Sequence, residues 1–152
     1  MGTPYTTIID NFAKMITEFK FTKLLEEDRD DWIISLLNSA CSKFYKKCGQ
    51  NLQLRDEVGF VEELGDDEID ILCNLMIVEW LKPYLFSVDN LENLMTTKDY
   101  SMYSPANILK EVRNTYEFAE SDAKKLMTNY TYTLRKKRRG NMYEWTHIKT
   151  SI

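Results

Sequence analysis

The 152-residue chain reads as all-α: a small helical bundle whose long C-terminal helix is followed by an extended or β-hairpin tail. Three observations predict this. Only five glycines and three prolines are present, too few breaks for a many-stranded sheet. Apolar residues recur every three or four positions through several long stretches. Two pairs, Thr3-Pro4 and Ser104-Pro105, join an N-capping side chain to proline at a first helical position. A chain of this length buries roughly 68 to 70% of its extended surface, so one domain needs neither metal nor disulfide staples.

The first helix is expected over about residues 4–19, where Ile8, Phe12, Met15, Ile16 and Phe19 follow the Thr3-Pro4 cap at helical spacing. A second helix is expected over about 28–48. The acidic cluster Glu26, Glu27, Asp28, Asp30 and Asp31 suits its positive end, Ile33, Leu36, Leu37, Ala40 and Phe44 form its stripe, and Lys43, Lys46 and Lys47 suit its negative end. Gly49 is the C-terminal cap this reading assigns. Residues 49–65 have mixed periodicity around Gly49, Gly59 and Gly65 and read as a loop with at most a turn of helix.

Asp66, Asp67 and Glu68 open a third helix that is apolar almost all round, from Ile69 to Leu81, which makes it the centre of the core or a surface under a neighbouring subunit. Pro83 lacks an amide hydrogen and disfavours helix at Lys82, so it ends or kinks that helix. Tyr84 to Met95 reads as weakly helical and Thr96 to Tyr103 as a polar, aromatic loop. After Ser104-Pro105, the residues Ile108, Leu109, Val112, Tyr116, Ala119, Ala123, Leu126, Met127 and Tyr130 step by threes and fours through a long helix. Then Tyr130, Tyr132 and Leu134 alternate with Thr131 and Thr133, and Gly140-Asn141 separates a second β-prone run. That pattern predicts a hairpin with a basic tip. The chain divides accordingly into a helical body, 1–130, and a basic tail, 131–152.

The formal charge of −4 conceals an asymmetry. Arg135, Lys136, Lys137, Arg138, Arg139 and Lys149 stand against Glu144, so the tail carries +5 and the remaining 130 residues −9. Such a body repels nucleic acid over most of its surface, and the tail attracts polyanions or acidic neighbours. The residues that would serve a partner are Tyr132, Leu134, Arg135, Lys136, Lys137, Arg138, Arg139, Tyr143 and Trp145: cations for encounter and aromatics for contact.

Catalytic apparatus is not recognisable. The lone histidine, His147, excludes a two-histidine metal site. There is no phosphate-binding loop, and Gly65-Asp66-Asp67-Glu68 lacks the alternating ligands of a calcium loop. Asp66 and Asp67 read as helix-start residues, and Cys41, Cys48 and Cys73 as small buried hydrophobes. No catalytic residue, metal or cofactor is therefore assigned. Met1 to Ile9 lacks the features of a signal peptide, and no segment approaches the roughly 20 apolar residues of a spanning helix, so manufacture in a cytoplasm and no membrane partner are expected.

The stretch Asp66-Asp67-Glu68-Ile69-Asp70-Ile71-Leu72 running into Val78-Glu79-Trp80-Leu81-Lys82-Pro83, then Thr97-Lys98-Asp99-Tyr100-Ser101-Met102-Tyr103-Ser104-Pro105-Ala106-Asn107 with the helix after it, resembles neck proteins of tailed bacteriophages. These are head-to-tail connector, or adaptor, subunits, and the resemblance covers about residues 5–134. It implies a structural protein of the virion neck, made in the host cytoplasm and assembled as a homo-oligomeric ring, usually twelvefold. The implied partners are further copies of itself, the portal protein, downstream neck or tail proteins, and passing DNA that it does not bind sequence-specifically. The alternatives are a small helical regulator that binds nucleic acid through Arg135 to Arg139 and an enzyme accessory subunit. Ring formation with a portal would favour the connector, and salt-dependent DNA binding by isolated subunits the regulator.

Overall fold

The computed structural model describes residues 2–17, 30–85 and 105–150. It is an all-α bundle with a minimal two-stranded sheet. In chain order come β1 (Thr3–Pro4), α1 (Tyr5–Thr17), α2 (Asp30–Phe44), β2 (Gly59–Phe60), α3 (Asp66–Leu85) and α4 (Pro105–Thr150). The loop expected before Pro105, the weak helix beyond Leu85 and the acidic cluster before Asp30 lie outside the described residues.

Helix α3 is the hub, packing on α1, α2 and α4. Its near-uniform apolarity is what that position requires: Ile69, Ile71, Leu72, Cys73, Leu75, Met76, Ile77, Val78, Trp80 and Leu81 are all buried. Around it α1 supplies Ile8 and Phe12, and α2 supplies Leu36, Leu37, Ala40, Cys41 and Phe44. Phe12 meets Trp80 edge to face at 6.2 Å. Helix α4 presents Val112, Ala119, Ala123 and Tyr130, whose intervals of four and seven keep one stripe against α3, with alanines where the helices approach. A Lys43–Glu79 ion pair ties α2 to α3, and Lys82 adds a second contact to the same carboxylate at 3.3 Å. Burial alone would raise the Glu79 carboxyl, but these two ammonium groups hold it below its ordinary range. Helix α3 runs through Pro83 without ending there and is described as far as Leu85.

Thr3-Pro4, expected as a cap and first helical residue, instead forms β1, with the Thr3 hydroxyl accepting from the Leu64 amide at 2.8 Å and α1 beginning at Tyr5; two larger expectations are also corrected. The first concerns residues 49–65, which hold a tight hairpin rather than a plain loop. Val61 donates to the Leu54 carbonyl at 3.0 Å, Arg55 bridges Phe60, and the turn is closed by the Asp56 carboxylate, which accepts from the amides of Val58 (2.7 Å) and Gly59 (2.9 Å). Those amides hold the Asp56 carboxyl below its usual range. On its other side β2 pairs antiparallel with β1, Thr3 opposite Phe60 and Pro4 opposite Gly59. A Cβ on Gly59 would stand 2.2 Å from the Thr3 carbonyl oxygen, so only glycine permits this approach.

The second correction is the tail. Residues 131–150 are not extended and form no hairpin; they continue α4 unbroken through Gly140-Asn141 to Thr150. The 46 residues make a helix about 69 Å long at 1.5 Å per residue. A helix already propagating adds one hydrogen bond per residue, and Leu, Arg and Lys are good helix formers. The β preference of a few Thr and Tyr residues is too small to break it. Among the described residues, no helix is long and apolar enough to cross a membrane.

Candidate partner-binding site on the C-terminal helix

Tyr130 is where α4 is fixed to the body. Its ring packs against Phe44 at 5.3 Å, and its hydroxyl donates to Glu68 Oε2 at 2.8 Å while accepting from the Gly49 amide at 2.7 Å. Glu68 sits in the first turn of α3, and its other oxygen accepts from the Gly65 amide at 2.8 Å, the reach-back of a helix-capping glutamate. The Cys48 thiol donates to Oε2 at 3.0 Å. This carboxylate, 5% exposed, thus holds three donors from three parts of the chain. Gly49, read from sequence as the C-terminal cap of the second helix, has no positive φ. A Cβ there would lie 3.1 Å from the Tyr130 hydroxyl and 3.2 Å from Leu134, so the glycine serves the close approach of α4.

The environment of the thiols makes them poor nucleophiles. Burial first, then the bond to Glu68, pushes Cys48 up to about 12, and burial pushes Cys41 up to about 11 and Cys73 to about 12. Among the described residues, no group of three or more His, Cys, Asp or Glu is placed to hold a metal ion. A cleft of about 450 Å³ opens beside the cluster, lined by Glu63, Asp67, Glu68, Tyr130, Leu134 and Lys137.

Beyond Tyr130 the helix has two faces. At 100° per residue, Tyr130, Leu134 and Lys137 share the face toward the body: buried, half-buried and lining the cleft in turn. Tyr132, Arg135, Lys136 and Arg139 share the opposite face, and all four are exposed, Tyr132 by 63%. The Lys136 ammonium lies over the Tyr132 ring at 5.1 Å from its centroid. Among the described residues, none of Arg135, Lys136, Lys137 and Arg139 reaches a carboxylate within ion-pair distance. Four turns upstream on the same outward face, Phe118 is 73% exposed.

The residues assigned from sequence therefore separate. Leu134 and Lys137 face inward, Tyr132, Arg135, Lys136 and Arg139 outward. Arg138, Tyr143 and Trp145 lie on the helical backbone, their side chains outside the described set. Sequence reasoning missed the Glu68–Tyr130–Cys48 cluster. Glu68 stands third in its helix, the position of a capping glutamate, but nothing local joins it to a tyrosine 62 residues away. Compared with protein-family models, with curated proteins and with solved structures, the chain matches none of them.

Proposed function

We propose that this chain is a virion structural protein, a head-to-tail connector subunit that assembles in a ring beneath a portal, extends the DNA channel and offers a platform for downstream tail proteins. The observation that carries the proposal is helix α4, packed on the body from Val112 to Tyr130, about five turns, and then bearing an exposed, basic, aromatic face. A helix so anchored is a docking arm of fixed direction, suited to helix-in-groove recognition rather than strand addition. A body at −9 suits a channel through which DNA slides, because like charge removes the counterion-release attraction that phosphates would otherwise find.

The test is incorporation. Full-length protein and a variant lacking residues 131–152 are each mixed with portal-bearing heads and sedimented. The full chain is expected to co-sediment and form rings visible by electron microscopy. The truncated one is expected to keep its helical circular dichroism and stay in the supernatant. Normal incorporation of the truncated chain would overturn the assignment of the arm.

A second reading, a nucleic-acid-binding regulator, is favoured by one observation: the four described cations of the basic run are exposed and form no ion pair among the described residues. It requires isolated subunits to bind DNA with an affinity that falls steeply with salt, by a log-log slope of about −0.9 per phosphate contacted.

A further inference from the structure

We infer that the outward face of α4, centred on Tyr132 with Arg135, Lys136 and Arg139, docks on the 54–61 hairpin of a second copy of this chain. The inference rests on the ring reading above, for which it names the contact between successive subunits. The hairpin has the complementary surface. Phe60 turns into the core at 2% exposure, whereas Leu54 and Val61, joined across the hairpin, stand outward at 49% and 54%, with Val58 at 71% on the turn. This small apolar face is rimmed by carboxylates. Residues 54–67 contain Asp56, Glu57, Glu62, Glu63, Asp66 and Asp67 against Arg55, a net −5. Arg55 is engaged with the Asn38 side-chain oxygen at 2.8 Å, and Glu57, Glu63 and Asp66 are exposed and make no ion pair among the described residues.

An apolar centre ringed by acids thus matches an aromatic centre ringed by bases. The same molecule cannot bring them together. Tyr132 and its cations lie about 180° around the helix from Tyr130 and Leu134, which are held against the body. With the arm fixed at Tyr130, its outward face is available only to another molecule. The patches occupy different parts of the chain, so the contact is head to tail, the kind that closes into a ring when the rotation allows. Opposite charge speeds encounter, while burial of Tyr132 against Leu54, Val58 and Val61 holds the contact.

The experiment uses the full chain and two charge-reversed variants, Glu57→Lys/Glu63→Lys on the hairpin and Arg135→Glu/Arg139→Glu on the arm, each checked for unchanged helical circular dichroism. Sedimentation velocity at about 0.05 and 0.5 M NaCl reads the association state, since the screening length shortens severalfold over that range. The wild type is expected to self-associate at low salt and less so at high salt. Each variant alone should associate about tenfold or more weakly, and an equimolar mixture should regain association, because the unchanged arm of the hairpin variant then meets the unchanged hairpin of the arm variant. A monomeric wild type at low salt, variants that associate like the wild type, or a mixture that stays monomeric would each overturn the inference. So would association of the wild type that appears only when DNA is added. Incorporation onto portal-bearing heads, measured in parallel, separates the two readings. Variants that still enter rings on the portal leave the connector standing without this interface; self-association with no portal binding leaves the interface standing without the connector.

Discussion

Removing the Tyr130 hydroxyl, in Tyr130→Phe, tests what holds the arm. The ring and its edge contact with Phe44 remain, so the change isolates two hydrogen bonds. The Gly49 amide lies at an exposed residue and can turn to water, so its loss costs little. Glu68 cannot: at 5% exposure it keeps only the bonds from Gly65 and Cys48. Hydrogen bonds to charged groups contribute about 1.5 to 3 kcal/mol net, which puts the expected loss at about 2 kcal/mol. For a domain of this size that is a fall in Tm of about 4 to 8 °C. The assay is urea unfolding followed by circular dichroism, with the midpoint falling and the slope unchanged. A double-mutant cycle with Glu68→Gln should return a coupling of about 1 to 2 kcal/mol between the two side chains. A loss below about 0.5 kcal/mol, or strict additivity, would refute the reasoning and leave α4 held by apolar packing alone.

Gly59→Ala should drive a methyl into the Thr3 carbonyl, unpair β1 from β2 and destabilise by about 2 kcal/mol or more; a melting temperature equal to wild type would contradict the geometry. The three thiols should react slowly with a thiol reagent at pH 8 while folded and rapidly in denaturant, and fast labelling of the folded chain would show that they are not suppressed. Because the Glu79 carboxyl is held below its unfolded value, its ion pairs stabilise at neutral pH and are lost as pH falls through that lowered value. Glu79→Gln should therefore lower Tm at pH 7 by the equivalent of about 1 kcal/mol and converge with wild type as acid protonates Glu79; a gap that widens on acidification would reverse the sign.

Helix existence was legible where two signals agreed. The Pro105 start combines a cap, a fixed φ and a stripe beginning at once, and the all-round apolarity of α3 forecast its central place. The two larger errors, the tail and the 49–65 loop, have different physical causes. Tyr130, Tyr132 and Leu134 alternate like a strand, yet on a helix Tyr130 and Leu134 are one turn apart and Tyr132 points the other way, so the same letters satisfy both periods. The real hairpin is two residues of ladder on either side of an Asp56 turn, too short for any period to be read. Of the site, the charge and the aromatics were visible, but their division into two faces was not, because it depends on which secondary structure carries them. The Glu68 cluster is invisible in principle to local reading, since its members meet only when α3 and α4 pack.

That α4 is one uninterrupted helix also constrains how this protein can change in sequence. In a loose tail, adding or losing a residue merely lengthens a tether. Here one residue inserted between Leu134 and Arg135 would turn every following side chain by about 100° and advance it by about 1.5 Å, moving the cations off the outward face. Seven residues would restore the azimuth to within about 20° but carry the face some 10 Å farther from the body. Length and phase are thus locked together between Tyr130 and Arg139, and tolerated insertions there should come in near-whole turns, about seven, eleven or eighteen residues before any other number.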